Sequence, residues 1–126
     1  MIERIENPQS LTSLFGDDFD FAEVDLHEVV VHRDGPTIRL RFDLPQVPEV
    51  PPSRWPKGAN TTQVVLLAEA IDALEISGFA TECTGVLQAL TENGRKILEF
   101  SCPASSIRFA YAWLRITGIS GYVNST

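Results

Sequence analysis

The segment Thr37-Ile38-Arg39-Leu40-Arg41-Phe42-Asp43-Leu44 constrains the fold more than any other. Apolar and polar residues alternate through it without a break, and a period of two places successive side chains on opposite faces of a β-strand. One face is therefore buried and the other wet, as in an antiparallel sheet packed on one side. Asp34-Gly35-Pro36 just before it is turn chemistry. Upstream, Val24 and Leu26 share one phase and Val29 and Val31 the other. That switch near Glu28 predicts either a β-bulge or a strand covered on both faces. Residues 23–44 thus read as a β-hairpin.

A second hairpin follows from Val86 to Cys102, because Glu92-Asn93-Gly94-Arg95 offers the preferred two-residue turn between two apolar segments. Ile107, Phe109, Tyr111 and Trp113 alternate with Arg108, Ala110 and Ala112, predicting one aromatic-faced strand through the centre of the sheet. Residues 61–76 are apolar enough for a strand, a bent pair of strands or part of a helix, and that choice stays open. Gly118 to Thr126 reads as a short edge strand. Near the N-terminus Asn7 is a suitable N-cap with Pro8 at the first helical position; Leu11, Leu14 and Phe15 form one stripe, and Gly16 supplies the stop. The expected fold is mostly β (α+β): an antiparallel sheet or sandwich of about six to seven strands with one short N-terminal helix.

At 126 residues, 44% of them apolar, the chain suits one domain spanning 1–126 and is too hydrophobic for the disordered class. Five of the eight prolines fall between Pro45 and Gly58 around Trp55, so 45–60 reads as a proline-rich crossover loop within that domain. No apolar run approaches the ~18 residues that span a bilayer. The N-terminus lacks the apolar core of a secretory signal, so a cytoplasmic location and no membrane partner are expected. Cys83 and Cys102 have neither C-x-x-C spacing nor a neighbouring histidine. They read as buried small hydrophobes, and a disulfide would require Cα atoms within about 7 Å.

Candidate chemistry is sparse. No Ser-x-x-Lys, Gly-x-Ser-x-Gly, P-loop or dinucleotide fingerprint occurs, and no carboxylate pair is placed as a glycosidase requires. No catalytic residue, cofactor or metal is expected, and the chain does not read as an enzyme. His27 and His32, five apart on a strand, would face opposite sides and could share a metal only if a bulge came between them, with Asp25 or Glu23 adding a ligand. Arg39 and Arg41 are the one hint of a nucleic-acid surface, and in an acidic chain they more naturally pair with carboxylates, so no nucleic-acid partner is expected.

Charge is the more telling property. Residues 1–28 hold eight acids and one base, while the remaining 98 residues are balanced, so the whole net charge of −7 belongs to the first 28 residues. Such an end repels nucleic acid and anionic membranes and attracts a basic protein or a cation. The candidate partner-binding residues are Asp17, Asp18, Phe19, Asp20, Phe21, Glu23 and Asp25, with Trp55 as a second aromatic anchor. Carboxylates would steer the partner while an aromatic side chain anchors it. The alternative is that all three aromatics close the end of the core.

Taken in order, the helix ending Leu14-Phe15-Gly16, the acidic Phe-containing segment into Val24, the His/Arg hairpin, Pro51-Pro52-Ser53-Arg54-Trp55 and the strand closing on Ile76-Ser77-Gly78-Phe79 resemble immunity protein family 50 of bacterial polymorphic toxin systems. The likeness is best over residues 5–80. It implies a non-enzymatic antidote that binds and occludes a cognate toxin domain, expected to be basic, in the cytoplasm of the producing cell. Homo-oligomerisation is left open. Two other classes compete. One is a β domain holding a small apolar ligand against Ile107, Phe109, Tyr111 and Trp113. The other is a structural subunit of a phage or secretion assembly, pairing through Ile38–Leu44 or Ile119–Val123 as edge strands.

Overall fold

The computed structural model describes residues 1–78 and 80–125; Phe79 and Thr126, each part of a segment singled out above, lie outside the described residues. A 3-10 turn at Ile2–Arg4 precedes helix α1 (Gln9–Phe15). Eight strands follow: β1 (Val24–His32), β2 (Thr37–Leu44), β3 (Thr61–Glu69), β4 (Asp72–Ser77), β5 (Thr84–Glu92), β6 (Arg95–Cys102), β7 (Ser105–Ala110) and β8 (Trp113–Tyr122). They form one antiparallel sheet in the order β4-β7-β6-β5-β1-β2-β3-β8. The mostly β architecture with a short helix is as expected, but there are eight strands where six to seven were anticipated.

The extra strand comes from residues 61–76. Ala70 turns the chain with φ 56°, and Ile71 N–H donates to the Pro36 carbonyl at 3.2 Å, so the apolar segment splits into β3 and β4 at opposite parts of the sheet. The aromatic segment 107–113 breaks too. Tyr111 N–H donates to the Lys96 carbonyl and Ala112 N–H to that of Glu69, ending β7 and starting β8 on different neighbours. Trp113 is therefore 53% exposed at the start of β8, not in the centre of the sheet. The C-terminal strand is correspondingly long, ten residues paired along β3. The turn at Asn93 and Gly94 has positive φ at both residues, 52° and 77°, as its sequence requires.

Strands β1, β2, β3 and β8 form one quartet and β4, β7, β6 and β5 the other. Between the quartets β1 and β5 share two residue pairs, Val24 with Gly85 and Asp25 with Thr84. Both nevertheless contribute to one apolar core: Ile38, Leu40, Phe42, Leu44, Val64 and Leu66 from the first, Leu98, Phe100, Ile107 and Phe109 from the second, with Leu11 of α1. Burying these side chains is the main stabilising contribution, since each is worth about 1.5–3 kcal/mol.

Two peripheral segments are sewn onto β8. Asn7 does not cap α1, which begins without a side-chain cap. Its amide instead copies a backbone pairing: Nδ2 donates to the Ile116 carbonyl and Oδ1 accepts from Ile116 N–H, both at 2.8 Å. With the Ile5–Leu114 bridge this covers part of an edge strand that would otherwise invite association. The proline loop lays Trp55, 8% exposed, flat against Gly121, where a Cβ would sit 2.1 Å from the indole. Gly121 is thus needed for its lack of a side chain.

Replacing Asn7 by Ala should lower unfolding stability by about 1–3 kcal/mol, because two part-buried backbone groups lose their partners. Urea unfolding measures this; a change below a few tenths of a kcal/mol would show that the N-terminal segment is held by Ile2, Ile5 and Leu11 alone.

Candidate functional site

The hairpin β1–β2 positions the site. Pairing runs Val31 to Ile38 and Val29 to Leu40, then slips one residue so that Leu26 meets Phe42. His27 is the extra residue. This is the bulge that the phase switch anticipated, and it lets Val24, Leu26, Val29 and Val31 share the face carrying Ile38, Leu40 and Phe42. On the other face Asp25 lies opposite Asp43, and Glu28 opposite Arg41. Cross-strand carboxylates repel. The bulged His27 relieves this: its Nε2 lies 2.9 Å from Asp43 Oδ2 and 3.4 Å from Asp25 Oδ2. Tyr122 of β8 donates its hydroxyl to the same Asp43 oxygen.

Asp43 is only 3% exposed, and its second oxygen has no hydrogen-bond partner among the described residues. Asp25, His27 and Asp43 offer ligand atoms that all lie within 4.8 Å of one another, a spacing at which a divalent cation could be held. His32 stands at the far end of β1 opposite Thr37 and takes no part. Reading the sequence identified Asp25 and His27 as potential neighbours but missed Asp43 and Tyr122. Asp43 occupies a wet-face position in the alternation of β2, and its burial follows from segments far away in the chain.

Two adjoining hollows open beside this network. One, of about 370 Å³, is lined by Glu23, Asp25, Asp43, Leu44, Pro45 and residues including Asn60, Thr61 and Asn124. The other, of about 340 Å³, is lined by Asp18, Phe19, Asp20, Glu23, Pro45 and neighbours. They share Glu23, Leu44 and Pro45, and among the described residues no basic side chain lines either. The result is one concave face carrying Asp18, Asp20, Glu23, Asp25 and Asp43.

Asp17, Asp18, Asp20 and Glu23 are all exposed, and none has a basic group within 4.0 Å among the described residues. Bases elsewhere behave differently. Arg39 and Arg41 flank Glu28 at 3.9 and 3.7 Å, Arg108 bridges Glu92 and Glu99, Arg95 meets Asp72 and Arg115 meets Glu69.

The aromatic candidates separate. Phe19 is half-buried at the second hollow, whereas Phe21 is 2% exposed and Trp55 is covered as described. Phe15, Phe19, Phe21 and Phe42 form a ladder with centroid spacings of 4.8, 5.2 and 5.9 Å. It ties the acidic loop to the core, so Phe21 supports the face from beneath, while Trp55 is covered against Gly121 of β8. Ile107, Phe109 and Tyr111 are likewise buried. Strand β2 is internal, flanked by β1 and β3, so Ile38–Leu44 is not an edge.

Burial, the hydrogen bond to Asp43 and the nearby negative charge push the Tyr122 phenol up to about 12. The neutral phenol is the form the fold favours. Its contribution is therefore complete below the ordinary value of 10 and disappears as pH rises through about 12. Tyr122→Phe should remove the ultraviolet phenolate transition near pH 12 and flatten the loss of stability between pH 10 and 12; a transition left unchanged would place Tyr122 in water.

Among the described residues, no helix is long and apolar enough to cross a membrane. Neither a curated protein nor a solved structure matches the chain significantly. The family model described as immunity protein 50 matches residues 7–122, a span that includes the helix, all eight strands and every carboxylate of the concave face. The chain belongs to the immunity protein 50 family.

Proposed function

We propose that this protein is a non-enzymatic antidote that binds a cognate toxin domain of a polymorphic toxin system in the cytoplasm and occludes it with its acidic concave face. Family membership supplies the class of function, toxin neutralisation. One observation carries the choice of surface: five carboxylates line two adjoining hollows that, among the described residues, no basic side chain lines. The toxin surface is accordingly basic, as befits a domain that handles a polyanion. Asp17, Asp18, Asp20, Glu23 and Asp25 provide the field, and half-buried Phe19 with Pro45 provides apolar contact at its centre.

The physics favours rapid capture. Like charges gathered in a concavity raise the local concentration of an oppositely charged partner and speed association, an effect that salt screens over about 8–10 Å. A rigid face adds to this by limiting the conformational entropy lost on binding. The exposed carboxylates project from a loop pinned by the phenylalanine ladder.

Replacing Asp17, Asp18, Asp20 and Glu23 by Asn or Gln should leave thermal unfolding near that of wild type while slowing association with the neighbouring toxin gene product about tenfold or more at low salt. Stopped-flow mixing across a salt series reads both rate and slope. An unchanged rate and slope would move recognition off this face; no complex with the wild-type protein would overturn the antidote reading itself.

A further inference from the structure

A pair of thiols lies away from the acidic face. Cys83, just before β5, and Cys102, the last residue of β6, are both half-buried, and their sulfurs are 3.0 Å apart. The backbone holds them there. A Cβ on Gly78 would lie 2.1 Å from the Ala104 carbonyl oxygen, and one on Gly85 would lie 1.9 Å from that of Ser101. The chain carrying Cys83 is thus pressed against the β6–β7 turn at points on either side of it, backbone on backbone. Leu26 N–H donates to the Cys83 carbonyl at 3.0 Å, tying the same segment to β1 at the narrow junction between the quartets.

We propose that Cys83 and Cys102 are a redox-modification site, closing to an intramolecular disulfide when the protein meets a low-molecular-weight disulfide. Little movement is required, since the sulfurs need approach by only about 1 Å to reach bonding distance. The two thiols differ in character. The hydrogen bond from Cys83, with backbone amides, holds the Cys102 thiol below its ordinary value, while burial pushes Cys83 up to about 11. Cys102 is the attacking sulfur because the thiolate is the nucleophile.

Its thiolate attacks one sulfur of the small disulfide, forming a mixed disulfide and releasing one small thiolate. Cys83 gives its proton to solvent and attacks the Cys102 sulfur, releasing the second thiolate. One small disulfide is reduced to two thiols as two protein thiols become one disulfide. The bridge then fastens the segment feeding β5 to the end of β6, beside the seam on which the two quartets meet.

The test is treatment of the native wild-type protein with oxidised glutathione, followed by alkylation and intact mass measurement. The expected product is a monomer lighter by two hydrogens, with neither cysteine alkylated, restored by dithiothreitol and melting roughly 10 °C higher than the reduced form. Cys83→Ser should instead stop at a stable glutathione adduct on Cys102. Two thiols still open to alkylation, a persistent glutathione adduct on wild type, or disulfide-linked dimers would each overturn the proposal.

Discussion

The inserted residue at His27 is the constraint on which the rest of the hairpin depends. Without it, Val24 and Leu26 would face away from the core that Val29 packs against, because a slip of one residue inverts every side chain of a strand. With it, both apolar pairs lie on one face against Ile38, Leu40 and Phe42. The same insertion resolves an electrostatic problem. Asp25 and Asp43 are cross-strand partners, and one of them is nearly inaccessible to water. A buried carboxylate costs several kcal/mol unless it is hydrogen-bonded. The imidazole of His27 and the hydroxyl of Tyr122 supply those bonds. A single backbone irregularity therefore fixes the core and also makes the buried acid tolerable.

From that hairpin the acidic face is assembled by packing, not by local charge. The loop between α1 and β1 carries its carboxylates outward because its phenylalanines go inward, stepping from Phe15 through Phe19 and Phe21 to Phe42. Alternating acid and aromatic residues in 17–21 thus do two jobs. Aromatic pairs of this geometry add roughly 0.5–1.5 kcal/mol each beyond burial, which helps hold a short loop whose charges repel one another. Elsewhere on the sheet, arginines are placed against glutamates and aspartates of the adjacent or next-but-one strand. The contrast leaves Asp17, Asp18, Asp20 and Glu23 as exposed carboxylates outside the ion pairs found among the described residues.

What could be read from the sequence was what local chemistry determines. The hairpins read at 23–44 and 86–102, the bulge, the Asn93-Gly94 turn and the Gly16 stop all follow from residues within a few positions of one another. What could not be read depends on distant partners. Asn7 has the composition of a cap, yet its amide bonds Ile116, 109 residues away. The alternation from Ile107 to Trp113 continues smoothly through a break, because the backbone of Tyr111 and Ala112 turns toward Lys96 and Glu69 without any change in pattern. Asp43 looks like a wet-face residue until β8 and the segment after β2 close over it. Phe21 and Trp55 read equally well as anchors or as core, and only the packing shows them covered.

The burial of those two aromatics bears on how a partner would be held. Interfaces draw most of their affinity from a few desolvated anchors, whereas exposed charges chiefly raise the association rate and sharpen selectivity. On the reading proposed above, Phe19 and Pro45 leave the acidic face with modest apolar area, so tight binding must come from contacts that lose water completely. The hollow at Asp43 is suited to that. Its floor holds a carboxylate already shielded from solvent, with one oxygen unpartnered among the described residues, and its walls add Glu23, Asp25 and Asn60. A single lysine or arginine entering from the toxin would meet several acceptors in a low-dielectric site, where each charge-assisted bond is worth more than at the rim. On that reading steering and grip would reside in different parts of one surface: the loop carboxylates would set how fast a basic partner arrives, and the carboxylates lining the hollow around Asp43 would set how long it stays.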